Sequence, residues 1–435
     1  MNKKIQSALT IVLLLVCCLC LLTACAAEKI NFYSNIESTL GVVGKLVRLM
    51  HNWIDNYGWT VVVFTVFLKI VMLPLDFWQR FAMRKTTLKQ QKLQPLLAAI
   101  DKRYGANSQK AQEEKSKLLR KNGGMGMGGT CLPMIVSMIV FFVMFGGLRE
   151  YSNYSSVAMF KELSHTYFDT CIAEFDKDAD FTADMTDYRA ALEAALDGKQ
   201  DDSERNAELK VKMSSIPAII AKYADNETMS AKTSQIAATA REAVKTKYNE
   251  TKESWLWIQN VWQPDTWETI MAPYDGSGTN TFTSVVDKDS FSDGRNLYDT
   301  IRGAVLETGG YGENGSWNGL LILPILSIAL SFLSMFISQK TESRRRSEQQ
   351  DTPAATTEQA QQQQMTNKTM MIIMPLMMAY FGFLYTGAFA IYMVANYALS
   401  ILSTVALRVP IEKAVEKSIK KQEEKDNSGK ASYMR

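Results

Sequence analysis

Val66-Phe67-Leu68-Lys69-Ile70-Val71-Met72-Leu73-Pro74-Leu75 decides how this chain is read. It lies inside an apolar segment, Trp59–Phe77, of the length that crosses a bilayer as a helix. A single lysine stands near the middle of that segment. A cation at mid-bilayer costs on the order of 3 kcal/mol on insertion scales, and far more in simulations. Something in the rest of the chain must offset that cost.

Four more uncharged segments follow, at roughly Leu132–Leu148, Gly319–Ser338, Met370–Tyr385 and Ala388–Leu407. The last two are joined only by Thr386-Gly387 and form a tight hairpin. Prolines 74, 133, 324 and 375 fall near span ends or in first turns, where a missing amide donor is tolerated. Loop charge orients the spans. Residues 79–130 hold 12 Lys/Arg against 3 Asp/Glu, residues 339–368 hold 5 against 4, and the tail 408–435 holds 8 against 5. Residues 150–318 reverse the sign, with 16 against 29. The basic segments are therefore expected in the cytoplasm and the acidic one outside.

The N-terminus agrees with that orientation. Lys3 and Lys4 precede a 12-residue apolar run, Ile11–Leu22, too short for a comfortable span. It ends in Leu22-Thr23-Ala24-Cys25, which resembles the lipobox of bacterial lipoproteins. That resemblance implies cleavage after Ala24, acylation of the Cys25 thiol and a lipid-anchored outer N-terminus. An N-terminus outside and five spans put the C-terminus in the cytoplasm of a bacterial plasma membrane. The expected division is a signal at 1–24, an outer segment at 25–57, and spans at 58–78, 131–149, 319–338, 370–386 and 387–408. Between them lie a cytoplasmic helical hairpin at 79–130, an outer region at 150–318 and a cytoplasmic loop at 339–369, with a basic tail at 409–435.

Spans two to five contain no Asp or Glu. Asp76 is seven residues from Lys69, about 10 Å along a helix axis. It is expected to draw the lysine toward the cytoplasm without pairing with it at the same depth. Two readings stay open. The lysine can snorkel to the inner interface with no further role. Alternatively, the helices can enclose a water-filled, inward-facing cavity around it. Thr65 lies one turn away on the same face. Ser137 in span two, and the i,i+4 pair Tyr392 and Asn396 in span five, add polar surface. Polar groups on several spans favour a shared wet interior. Met370, Met371, Met374, Met377 and Met378 give span four either a soft surface that accepts many partner shapes or plain filling of a helical interface.

The loops add organisation. Residues 79–121 read as a basic helical hairpin with an apolar seam of Phe81, Leu88, Leu93, Leu96, Leu97 and Ile100. It turns at Tyr104-Gly105-Ala106-Asn107, with Ser108 as the cap of the second arm. The hairpin either rests on anionic headgroups or docks a ribosome or partner protein. Residues 150–254 read as a small helical unit, with helices at Thr186–Lys199 and Asn206–Lys252, and 273–316 as surface loop. The chain carries 2 His and 6 Cys, with no HExxH or Walker pattern and no Ser/His/Asp constellation, and its Cys17-Cys18-Cys20 cluster lies inside the apolar run of the signal. These absences argue against an enzyme, a metal or cofactor site, and specific nucleic-acid binding. If Cys25 is the mature first residue, Cys131 and Cys171 are free thiols.

In order along the chain, Gly58-Trp59, Thr65 to Lys69 with Leu73-Pro74-Leu75, Leu93-Gln94-Pro95, and Lys102-Arg103-Tyr104 resemble segments of YidC-type membrane protein insertases. So do Gly128 to Met134, Leu256-Trp257-Ile258 with Pro264-Asp265, Leu323 to Leu326, Met374-Pro375, and Gly387 through Asn396. The resemblance covers about residues 57–150 and 254–408. It implies an all-α membrane protein with five transmembrane helices around an inward-facing hydrophilic groove open to lipid. It also implies an insertase and chaperone for nascent membrane proteins, working alone or beside the Sec translocon and ribosome. By position Lys69 is the groove cation, Thr65 lines the groove and Tyr392 lies near the client-sliding face. The family usually carries arginine at the position of Lys69, and lysine keeps the charge but not the planar fork. Ser137-Met138-Ile139 also departs from the family's pattern in span two. A transporter or channel, and an envelope scaffold acting through the outer helices, are the competing readings.

Overall fold

The computed structural model describes residues 29–35, 40–105, 108–121, 127–276, 280–292, 294–309, 311, 317–347, 380 and 382–433. Among the described residues the regular structure is helical, and backbone bridges are isolated. A short helix α1 (Val42–Ile54) precedes α2 (Tyr57–Tyr104), whose first turn is capped by the Asn56 side chain accepting from Trp59 N–H. Helix α2 runs unbroken through Pro74 and Pro95. It is 48 residues long and so joins the predicted first span to the first arm of the basic hairpin. The chain reverses at Gly105, whose φ of 80° is open to glycine at little cost. Ser108 Oγ then accepts from Ala111 N–H at the start of α3 (Gln109–Lys121), and Lys115 pairs with Asp101 across the two arms.

Helix α4 (Met127–Phe175) carries predicted span two in its first half and continues far beyond it. Its second half packs with α5 (Thr182–Leu196), α6 (Asp201–Lys222), α7 (Glu227–Thr251) and α8 (Arg295–Leu306). Membrane-type sequence returns in α9 (Ile322–Ser347) and α10 (Gly387–Ala406), and α11 (Arg408–Tyr433) closes the chain. Two helices among the described residues are long and apolar enough to cross a membrane, Tyr57–Lys85 and Gly387–Ala406, with a shorter apolar stretch at Ile322–Ile337. Predicted span 370–386, with its methionines, lies outside the described residues except for 380 and 382–386, as do Cys25 and the signal segment.

Two cores form. One belongs to the acidic unit and gathers Phe160, Phe168, Tyr248, Phe282, Phe291 and Tyr298 around Phe32 from the N-terminal segment. The other joins the helix bundle through Tyr57, Phe64, Leu148, Trp262, Phe389 and Tyr392. Two details differ from the sequence-based expectation. Asn206–Lys252 is two helices, because the chain turns at Tyr223–Asn226, where the Asn226 side chain caps α7. Part of the expected surface loop 273–316 is α8, since Tyr298, Ile301 and Val305 recur at helical spacing and are buried.

A buried polar knot fixes the bundle's entry end. Asn318 Nδ2 donates to the carbonyls of Asn260, Gln263 and Pro264, and its Oδ1 accepts from Asn260 N–H. Asp265, fully buried, accepts from Trp257 Nε1 and from the amides of Leu320 and Leu323 at the start of α9. A carboxylate there satisfies orphan amides and complements the helix dipole. The same loop accepts Gly387 N–H at Gln263 O and Ala388 N–H at Val261 O, while Glu253 accepts Tyr57 N–H. Helices α2, α9 and α10 thus start on one loop. Asp265→Ala leaves one buried and two part-buried donors unmet and is expected to cost about 3 kcal/mol, read as a lowered thermal unfolding midpoint in detergent. In the acidic unit, burial pushes the Cys171 thiol up to about 12. It is therefore expected to stay protonated and resist maleimide at neutral pH until the unit unfolds.

Candidate functional site: a cation between two facing polar stripes

Position along α2 determines which groups can meet. Thr65, Lys69, Asp76 and Arg80 are separated by whole numbers of turns to within a narrow arc, so they form one polar stripe. The opposite face carries Val63, Phe67, Ile70, Val71 and Trp78, all exposed. An exposed face of large apolar side chains with polar groups turned inward is the reverse of a soluble helix and suits lipid contact. Helix α10 repeats the arrangement, with Leu402 and Val405 exposed and Asn396, Ser400, Ser403 and Thr404 less so.

The two stripes face each other. Lys69 Nζ donates to Ser400 Oγ at 3.1 Å and forms an ion pair with Asp76 Oδ2 at 2.9 Å. The expectation that Asp76 could not reach Lys69 is therefore corrected. Helical Cα–Cβ bonds tilt toward the N-terminus, so the Asp76 carboxylate leans back along the axis. A lysine extended the other way then spans the two turns between them. Both side chains keep some exposure, 19% and 17%.

One turn beyond Asp76, Arg80 Nη1 donates to Thr404 Oγ1 at 2.9 Å and Nη2 to Ser403 Oγ at 3.4 Å. Both hydroxyls donate their own protons to Ser400 O, at 3.0 and 2.7 Å. Their oxygens are left as acceptors aimed at the guanidinium. Further along, Lys85 Nζ donates to Ser418 Oγ of α11. The groups at the centre are thus two cations and one carboxylate, held by neutral hydroxyls.

The other predicted site residues fall as follows. Thr65 is buried and its hydroxyl donates to Val61 O within its own helix. Tyr392 is buried in the bundle core, its ring near Phe141 and Phe389. Asn396 is half-buried one turn before Ser400. Ser137 lies within α4, and its side chain is outside the described residues. The structure thus brings Lys69 to α10 at Ser400, two turns past Tyr392. Asp76, Arg80, Ser400, Ser403 and Thr404 were not singled out from sequence as site residues. The signal was there for the hydroxyls: the four-residue step from Tyr392 to Asn396 continues to Ser400 and Thr404.

Comparison with known proteins bears on the family of the chain. The profile of the family described as 60Kd inner membrane protein matches residues 49–223 and 242–414, well over half the chain. The chain belongs to this family. The match includes both polar stripes and most of the acidic unit. A membrane protein insertase YidC of Caldanaerobacter subterraneus subsp. tengcongensis is 36% identical over 116 residues, 27% of this chain and 54% of that protein. Proteins of the same name from Xanthomonas oryzae pv. oryzae and Stenotrophomonas maltophilia are 32% and 33% identical over 127 residues, 28% of this chain and 21% of theirs. The matched stretch thus spans about half of the first relative and about a fifth of the others. No solved structure matches the chain. The resemblance to YidC-type insertases read from the motifs is borne out at the level of the family.

The Lys69–Asp76 pair is testable apart from any activity. Lys69→Met and Asp76→Asn are each expected to destabilise the bundle, and the double variant less than their sum. The expected coupling is about 1–2 kcal/mol, measured by unfolding in detergent; additive effects would mean no pairing.

Proposed function

We propose that this chain inserts nascent membrane proteins, receiving an acidic hydrophilic client segment at Lys69 while the client's apolar segment passes to lipid. One observation carries the reading. The cation is turned inward from an apolar helix and contacts a stripe of neutral hydroxyls on α10. Its only close acid is on its own helix, among the described residues. Two cations against one carboxylate leave the stripe with surplus positive charge, which attracts a peptide carboxylate strongly where the dielectric is low. Family membership and relatives named as insertases support the same conclusion.

In this reading five spans surround a groove open to the cytoplasm and to lipid, lined by Lys69, Thr65, Ser137, Asn396 and Ser400, with Tyr392 at its closed end. Spontaneous transfer into the bilayer drives the step, and the groove lowers the cost of carrying a charged segment across. The lipid anchor at Cys25 and the acidic unit lie outside, and the basic tail lies inside. The hairpin formed by the end of α2 and by α3 offers a basic surface to a ribosome or to the Sec translocon. In this reading the chain acts as a chaperone for the client.

The test is insertion of a single-span client with an acidic outer tail by the full chain in proteoliposomes. Lys69→Ala and Lys69→Glu are expected to lower insertion about tenfold or more, by loss of roughly 1.4 kcal/mol of attraction or above, and Lys69→Arg to retain most of it. Equal insertion by all three variants would sink the mechanism. Photo-crosslinking from positions 69 and 400 to a stalled client reads the contact directly.

A further inference from the structure

The Lys69–Asp76 pair poses a question that the proposed function does not answer: the receiving cation already holds a carboxylate. We infer that Asp76 is a specificity-determining residue, an internal occupant of the client's seat that sets how acidic a client must be to be accepted. The inference rests on the insertase reading.

The geometry supplies both states of such an exchange. In the structure Lys69 holds Asp76 at 2.9 Å, and Arg80 is held by the neutral oxygens of Ser403 and Thr404. Asp76 and Arg80 are four residues apart on one helix, the spacing at which side chains meet. When a client carboxylate takes Lys69, Asp76 needs only a side-chain rotation to pass to Arg80. Each charged group then keeps an ionic or hydrogen-bonding partner before and after, so neither state leaves a charge without a contact in a poorly hydrated site. Ser400 stays in place throughout, since it is neutral and touches Lys69 from the other helix.

The internal pair lowers apparent client affinity by the fraction of time Lys69 is occupied. A client with several acidic residues overcomes that competition and a client with one does so poorly. Asp76 therefore acts as a threshold on client acidity.

The experiment uses the full chain in proteoliposomes and two single-span clients that differ only in carrying one or four aspartates in the outer tail. Asp76→Asn is expected to raise insertion of the one-aspartate client by about fivefold, a coupling of ordinary size, with little change for the four-aspartate client. Lys69→Gln is expected to lower both, and Lys69→Gln with Asp76→Asn to match Lys69→Gln alone. Arg80→Gln removes the second seat of Asp76 and is expected to lower insertion of the one-aspartate client, which keeps the test decisive if Asp76→Asn does not accumulate. Asp76→Asn inserting the one-aspartate client no better than wild type overturns the inference, as does Arg80→Gln behaving as wild type. If Lys69→Gln still inserts the four-aspartate client normally, the groove-charge function itself fails. If it impairs that client while Asp76→Asn equals wild type, only the role of Asp76 fails.

Discussion

A charged group in a poorly hydrated interior must have a partner, and that requirement organises the bundle. Lys69 cannot face lipid, so α2 turns its polar stripe toward α10. The hydroxyls of α10 meet it because they follow the same period along a helix that starts from the same loop. That loop, through Asp265, Asn318 and the carbonyls of Val261 and Gln263, sets where α9 and α10 begin. Lys69 and Ser400 then come level, each about 20 Å along its helix from the common start. The register of the site is thus decided at the entry end.

The hydroxyl chemistry explains why serine and threonine suit the facing stripe. A hydroxyl buried without a donor's acceptor is costly. Ser403 and Thr404 avoid that by donating to Ser400 O within their own helix. What remains outward is a lone pair, which suits a guanidinium but adds no charge. The stripe on α10 can therefore hold cations without neutralising them. A carboxylate in the same place would have cancelled the surplus of Lys69 and Arg80 over Asp76.

Much of this was legible in the sequence. The helical class followed from apolar run length and from the Ala-, Glu- and Lys-rich outer region. The Ser108 cap and the turn at Gly105 followed from residue type. Lys69 stood out because a lone cation in an apolar run has few uses. Its pairing with Asp76 was missed because a distance along the axis ignores the direction in which side chains lean. The hydroxyls beyond Asn396 were missed because serine and threonine are unremarkable in a membrane helix until something opposite needs an acceptor. Helix α8 was hidden among glycines and aspartates, where local composition outweighed a short apolar period. The merging of the first span with the hairpin arm was hidden because the change from apolar to basic composition after Phe77 reads as a boundary, and α2 runs on through it.

Helix α4 has a mechanical meaning as well. It is a single helix of 49 residues, about 74 Å from end to end. Its first part belongs to the bundle, and its last part is the spine of the acidic unit. With the helix unbroken between them, the acidic unit follows the tilt of the first part of α4 as a pointer does. One degree of tilt there moves the far end by about 1 Å on that length. Any load placed on the acidic unit is returned to the bundle with the same leverage.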